Sequence, residues 1–326
     1  VVTQNSSLLQ DGPIDGVYLC ASLDLLEIFG AALDTEAGLR LFRPEDVPDP
    51  SRILFALAWR PAPDAFIPYP NIRLVQTIGA GVDPVLNTAS LPKNILVTRV
   101  NDHEQAAIMS GFAAWQVIWY HRKMGAYQIA ASKGEWIRNS IKTLRSPSDM
   151  TIGILGYGLM GQAIAKVIVA MGFPVLAASR TKKSRDHGVT CITGSNAIQQ
   201  VAARAAILIN VLPLTEATRD ILSAPLFAKM PQGAALIHLG RGEHLIDEDL
   251  LEALNKGHLS GASLDVFRSE PLPQSHPFWT HPKLFITPHE ASITSVSAVS
   301  QALLQSVSEM MKGQQPTNAI NVTNGY

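Results

Sequence analysis

The sequence predicts an α/β chain of two doubly wound parallel-sheet domains, the second inserted into a discontinuous first. Three observations carry this. From Thr151 onward, short apolar runs alternate with helix-length stretches, as in a parallel sheet with crossover helices. The first hundred residues show the same alternation more weakly, their apolar runs divided by Pro-rich connections such as Pro61-Ala62-Pro63 and Pro68-Tyr69-Pro70. The tail, Ser292–Lys312, reads as a helix able to return to that first region. The expected domains are therefore 1–102 with 292–326, and 103–291.

Taken in order, Val17–Cys20, Ile53–Ala58, Ile72–Thr77 and Ile95–Arg99 are expected strands of the first domain. The stretch from Glu104 to Ala131 is almost continuously apolar (Ile108, Met109, Phe112, Trp115, Val117, Ile118, Trp119, Tyr120) and reads as one long helix. A helix apolar around most of its circumference is buried in a large core or an interface, so it is either a subunit-contact helix or an internal core helix. Thr151–Leu155 then reads as a strand and Gly161–Met171 as a helix. Pro174–Ala178, Ala206–Leu212, Ala234–Leu239, Ala262–Val266 and Leu284–Ile286 are the further strands expected.

Composition narrows the function. With 326 residues, 47% hydrophobic and 16% charged, the chain has the makeup of a globular protein of two domains. A net charge of -1 supplies no field for nucleic acid or an anionic membrane. Its two cysteines, Cys20 and Cys191, form no CxxC or metal-ligand spacing, so no disulfide framework and no metal are expected and a reducing cytoplasm fits. The start lacks a basic region followed by an apolar run, and no stretch approaches a membrane span, so neither signal peptide nor membrane partner is expected.

Thr151-Ile152-Gly153-Ile154-Leu155-Gly156-Tyr157-Gly158-Leu159-Met160-Gly161 contains G-x-G-x-x-G between an apolar strand and an amphipathic helix. That context makes the motif a dinucleotide-binding turn. Gly156 permits the tight turn, Gly158 lets backbone approach the pyrophosphate, and Gly161 allows close helix–strand packing. Tyr157, Leu159 and Met160 line the same turn, and the helix N-terminus faces the phosphates. The second strand then ends Ser179-Arg180-Thr181-Lys182-Lys183, with no acid before Asp186. An acid there would bind a ribose 2′-OH and repel a 2′-phosphate. Ser179, Arg180, Thr181 and Lys183 can instead hold that phosphate, so NADP is the expected preference, with NAD possible.

Three polar residues lie just past expected strand ends, where open α/β sheets bind ligands. These are Arg241, Glu270 and His289. Reduction of a 2-oxo acid needs hydride on the carbonyl carbon and a proton on its oxygen. A histidine can give the proton, a carboxylate can orient the imidazole, and an arginine can clamp the substrate carboxylate. Taken singly, each could equally be a surface or structural residue.

Gly156–Gly161, Leu239-Gly240-Arg241-Gly242, Leu264-Asp265-Val266-Phe267 with Glu270-Pro271-Leu272-Pro273, Thr287-Pro288-His289, and Gly79-Ala80-Gly81-Val82-Asp83 resemble, in order and spacing, the D-isomer-specific 2-hydroxyacid dehydrogenases over roughly residues 50–326. Trp59-Arg60-Pro61, Phe173-Pro174, Asn210-Val211-Leu212-Pro213 and the ending Gly325-Tyr326 look most like the glyoxylate/hydroxypyruvate reductase A group of that family. The resemblance implies a Rossmann cofactor domain inserted in a flavodoxin-like substrate domain, a homodimer formed through the long helix, and reduction of small 2-oxo acids to 2-hydroxy acids. It also implies His289 as acid/base, Glu270 as its partner and Arg241 as substrate and carbonyl ligand. Ala80 and Gly81 would hold the substrate carboxylate, with Trp59 as a pocket wall. Leu212 and Pro213 would cover the cofactor, Leu239, Gly240, Arg241 and His289 would adjoin it, and Asp265 would sit near the nicotinamide. Two positions depart from the family pattern. Gly111 stands where many members carry an acid, and Gly240 replaces the more usual Ala or Ser, widening the turn.

Two other functions fit parts of this pattern: a non-catalytic NAD(P)H-sensing corepressor-like protein, and a dehydrogenase of the same family for a larger hydroxy acid. The sequence has no G-x-S-x-G elbow for a hydrolase. His276 and His281 do not match a metalloprotease motif.

Overall fold

The computed structural model describes residues 12–33, 38–138, 145–181 and 188–321. The chain divides into two compact units, one from Val1–Asp102 with Thr294–Tyr326 and one from His103–Ile293.

The first unit holds five parallel strands: β1 (Ile14–Cys20), β2 (Leu39–Phe42), β3 (Phe55–Trp59), β4 (Leu74–Thr77) and β5 (Leu96–Thr98). Their order, β2-β1-β3-β4-β5, is the flavodoxin-like one. Two apolar layers cover the sheet. One holds Val17, Ala56, Val75 and Val97. The other holds Phe55, Leu57 and Leu74 with Val299, Leu303 and Val307 of the tail helix Val296–Met311. The tail helix thus belongs to the first unit. Strand β1 starts at Ile14, earlier than the expected Val17, because its second residue is a buried acid: Asp15 accepts from Arg40 Nε at 2.8 Å and Arg52 Nε at 3.0 Å. A carboxylate in a strand disguises the strand's beginning.

The second unit holds seven parallel strands: β6 (Ile152–Leu155), β7 (Val175–Ala178), β8 (Val189–Ile192), β9 (Ile207–Asn210), β10 (Ala234–His238), β11 (Leu259–Leu264) and β12 (Leu284–Ile286). The order β12-β11-β10-β9-β6-β7-β8 is that of a Rossmann sheet, reversing direction between β6 and β9. Strands β6, β9 and β10 are buried along their whole length, as expected for parallel strands covered on both faces. Edge strands β2 and β8, absent from the sequence reading, are four residues each and only partly covered.

The apolar stretch expected as one helix over Glu104–Ala131 is two helices, His103–His121 and Met124–Ser132. Lys123 takes φ 54°, ψ 44°, a left-handed conformation that ends the first helix and begins the second. The apolar residues continue through the break, so periodicity alone does not mark it. Helix His103–His121 packs on Leu159–Ala170 and buries Ala113, Gln116 and Val117. Ile108, Trp115 and Ile118 on its remaining surface stay exposed. No helix among the described residues is long and apolar enough to cross a membrane.

Candidate active site

Register fixes where the chemistry sits. Ladder partners align Ala178 with Leu155, Leu155 with Asn210, Asn210 with His238, His238 with Leu264, and Leu264 with Ile286. These residues form one row at the carboxyl edge of the second sheet. The expected site residues of this unit that the structure describes lie just beyond it: Gly156–Met160 after β6, Ser179–Thr181 after β7, Leu212 and Pro213 after β9, Leu239–Arg241 after β10, Asp265 and Glu270 after β11, and His289 after β12.

The turn after β6 is shaped by close approach. Gly156 has φ 98°, and a Cβ there would lie 2.8 Å from the Val211 carbonyl oxygen. A Cβ on Gly161 would come within 2.0 Å of the Gly156 oxygen, so any side chain would separate helix from strand. A Cβ on Gly158 meets nothing within 4 Å. Helix Leu159–Ala170 starts there with no side chain capping its N-terminus. Open space at Gly158 beside an uncapped helix start suits a pyrophosphate, which would take the first N–H groups as its cap. Tyr157 is buried, while Leu159 and Met160 are partly covered.

At the end of β7, Ser179 donates to the Thr181 carbonyl at 2.9 Å, and Arg180 and Thr181 are exposed. Lys183 lies outside the described residues, as does Gly325-Tyr326.

The structure brings His289 and Glu270 together. The imidazole Nδ1 stands 3.1 and 3.0 Å from the two Glu270 carboxylate oxygens. The Glu270 Oε1 also accepts the Phe267 N–H at 3.1 Å, which fixes the carboxylate against its own loop. His289 is held at φ 61°, with its N–H on the Thr287 carbonyl. Positive φ is uncommon for a residue with a side chain and persists where the surroundings hold it. Asp265 explains how it persists. That buried carboxylate accepts from Thr287 Oγ1 at 2.6 Å, Glu290 N–H at 2.8 Å and Ala291 N–H at 3.0 Å. Both of its oxygens are thus turned into the loop that carries His289.

Arg241 is partly buried. Its Nη1 donates to the Gly240 carbonyl at 3.0 Å, and its backbone N–H donates to His244 Nδ1 at 3.0 Å. His244, His238 and Asn210 are each fully buried. None of the three was singled out from the sequence as a site residue. His244 carried a local signal, standing three residues beyond Arg241 in a short turn (Gly242–His244). His238 carried none before strand register was known. Burial holds the His238 imidazole far below its usual range, at about 3, and the neighbouring His244 adds to that. The expected widening at Gly240 does not occur: a Cβ there would lie 2.8 Å from His244 Nδ1 and 2.9 Å from Asn210 Nδ2, so glycine lets the turn pack tightly on both.

In the first unit, Trp59 is the last residue of β3, and Ala80 and Gly81 follow the neighbouring β4 through Gly79. All three are partly covered. The Gly79 carbonyl accepts from Thr77 Oγ1 at 2.8 Å and from the Val100 N–H at 3.1 Å, which sets the course of the loop into Ala80.

Comparison with known proteins places this architecture. The family model for the NAD binding domain of D-isomer specific 2-hydroxyacid dehydrogenases matches residues 114–291. Glyoxylate/hydroxypyruvate reductase A from Serratia proteamaculans is 38% identical over 279 residues, covering 83% of this chain and 87% of that protein. A D-isomer specific 2-hydroxyacid dehydrogenase from Xanthobacter autotrophicus Py2, solved with NADPH and MES, superposes with TM-score 0.89 at 30% identity, covering 95% of this chain and 99% of that one. An NADPH-dependent glyoxylate/hydroxypyruvate reductase from Sinorhizobium meliloti, solved with NADP and sulfate, gives TM-score 0.87 at 32% identity, covering 96% and 100%. The Rossmann sheet, the strand-end residues and these matches agree: the chain belongs to the D-isomer specific 2-hydroxyacid dehydrogenase family.

Proposed function

We propose that this protein reduces small 2-oxo acids, glyoxylate and hydroxypyruvate foremost, to glycolate and D-glycerate, with NADPH as its preferred reductant and His289 as proton donor. The observation that carries this reading is the approach of His289 Nδ1 to both oxygens of Glu270. Bound NADPH would supply the hydride to the carbonyl carbon. Glu270 holds Nδ1 of the imidazole, which leaves Nε2 to give a proton to the carbonyl oxygen. Arg241 clamps the substrate carboxylate and polarises the carbonyl. Ala80 and Gly81 offer backbone N–H groups to that carboxylate, and Trp59 walls the pocket. The domain 1–102 with 292–326 is thus the substrate-binding one and 103–291 the cofactor-binding one.

Gly156, Tyr157, Gly158, Leu159 and Met160 would hold the pyrophosphate. Ser179, Arg180, Thr181 and Lys183 would hold the 2′-phosphate of NADP. Relatives solved with NADP or NADPH support that choice. The exposed Ile108, Trp115 and Ile118 support a homodimer formed through helix His103–His121. Two free cysteines fit a cytoplasmic protein.

The assay is loss of NADPH absorbance with glyoxylate and with hydroxypyruvate, run beside NADH and beside Arg180→Ala. The expected result is faster turnover with NADPH, and a preference that shrinks by roughly tenfold or more in the variant. Tight NADPH binding with no turnover on either acid would make the chain a cofactor sensor. An unchanged preference in Arg180→Ala would remove the 2′-phosphate assignment.

A further inference from the structure

Two turns leave the carboxyl edge of the sheet side by side, one after β9 (Asn210 to Pro213) and one after β10 (Leu239 to Arg241). A chain of hydrogen bonds joins them. The Leu212 N–H donates to Asn210 Oδ1 at 3.4 Å, which fixes the orientation of that amide. The Asn210 Nδ2 therefore donates, and it lies 3.2 Å from Nδ1 of both His238 and His244. The Arg241 backbone N–H donates to the same His244 Nδ1 at 3.0 Å. Both neighbours of that nitrogen are donors, so it carries no proton, and the proton of the neutral ring sits on Nε2. Nε2 is 3.2 Å from the Pro213 carbonyl and donates to it. The same carbonyl accepts from Thr218 Oγ1 at 2.8 Å.

We propose that His244 is a positioning residue that sets two parts of the active site at once, holding the backbone of Arg241 through Nδ1 and the Pro213 turn through Nε2. This rests on the reading of Arg241 as the substrate clamp and of Pro213 as cover for the cofactor. The side chain is fully buried, so its bonds do not compete with bulk water. No other residue type places an acceptor and a donor at opposite corners of one rigid ring. Gly240 is part of the arrangement, since a side chain there would meet the ring and the Asn210 amide. The consequence is that substrate affinity and cofactor affinity share one side chain yet depend on different atoms of it.

Two variants separate those atoms. In His244→Asn, the amide oxygen can stand where Nδ1 stood, but nothing reaches Pro213. In His244→Gln, the amide nitrogen can stand where Nε2 stood, but the Arg241 N–H loses its acceptor. Two dissociation constants are measured on each protein by fluorescence quenching: that of NADPH, and that of oxamate, an unreactive 2-oxo acid analogue, at saturating NADPH. Thermal melting is recorded alongside. His244→Asn is expected to weaken NADPH roughly tenfold and leave oxamate within about threefold, and His244→Gln to do the reverse. Parallel changes in both constants, or no change in either, would mean a merely structural imidazole and overturn the proposal. Imidazole 15N shifts of the unsubstituted protein give a second measurement that survives any misfolding of the variants. They should show His244 as the Nε2–H tautomer from pH 6 to 8, and an Nδ1–H or charged ring would overturn the proposal. Wild-type protein that neither binds oxamate nor turns over a 2-oxo acid would instead sink the functional reading beneath it.

Discussion

The turn after β6 and the paired turns after β9 and β10 face the same carboxyl edge and are built by opposite means. The first is shaped by what is missing: Gly156 at φ 98° and Gly161 pressed against the Gly156 carbonyl. The others are held by what is added: Asn210, His238 and His244, all buried and hydrogen-bonded across strands. A turn shaped by glycine tolerates no added atom at its contact points. A turn held by a polar network tolerates no change in proton count, because a buried polar group that loses its partner keeps its full desolvation cost.

Gly161→Ala puts a methyl group 2.0 Å from a backbone oxygen that cannot swing aside. It should cost about 2–3 kcal/mol of stability in the second unit. A thermal unfolding midpoint equal to wild type would contradict the packing described for this turn. The network should respond to pH. The folded His238 has its pKa at about 3, against 6.5 for an exposed imidazole, so the unfolded chain binds a proton there that the folded chain refuses. That contribution to stability is full above pH 6.5 and is lost as pH falls toward 3. Its slope is about 1.4 kcal/mol per pH unit within the window. Comparing urea unfolding of wild type and His238→Gln from pH 7 to 4 isolates it, and parallel curves would remove the claim. The smallest change in stability belongs to Gly158→Ala, whose new methyl meets no atom. Its stability should move by less than about 0.5 kcal/mol, while NADPH affinity falls because the methyl occupies the phosphate approach. A large stability loss would make Gly158 a packing residue like Gly161.

The same contrast explains what could be read in the sequence. The G-x-G-x-x-G turn is written in one stretch, although the Val211 carbonyl that crowds Gly156 comes from beyond the distant strand β9. Arg241, Glu270 and His289 stood out because each follows an apolar run by a few residues and falls within a motif resembling the family's, and the structure places His289 and Glu270 in contact. Asn210, His238 and His244 belong to segments that meet only through the register of β9 on β10, so nothing local marked them as a unit. Asp265 was expected beside the nicotinamide. Its three hydrogen bonds into the His289 loop depend on the course of residues 287–291, which spacing does not give. The break at Lys123 was hidden by apolar residues on both sides of it. Strands β2 and β8 were missed because a polar residue, Arg40 in one and Thr190 in the other, interrupts each four-residue run.

If His289, oriented by Glu270, gives the proton that completes carbonyl reduction, its removal acts on the chemical step and not on NADPH binding. The most direct measurement is kcat with glyoxylate for His289→Ala and Glu270→Gln, read against NADPH affinity on the same preparations. The expected kcat falls about 10²–10⁴-fold in His289→Ala and less in Glu270→Gln, while both proteins still bind NADPH. A His289→Ala enzyme that keeps wild-type kcat would contradict it.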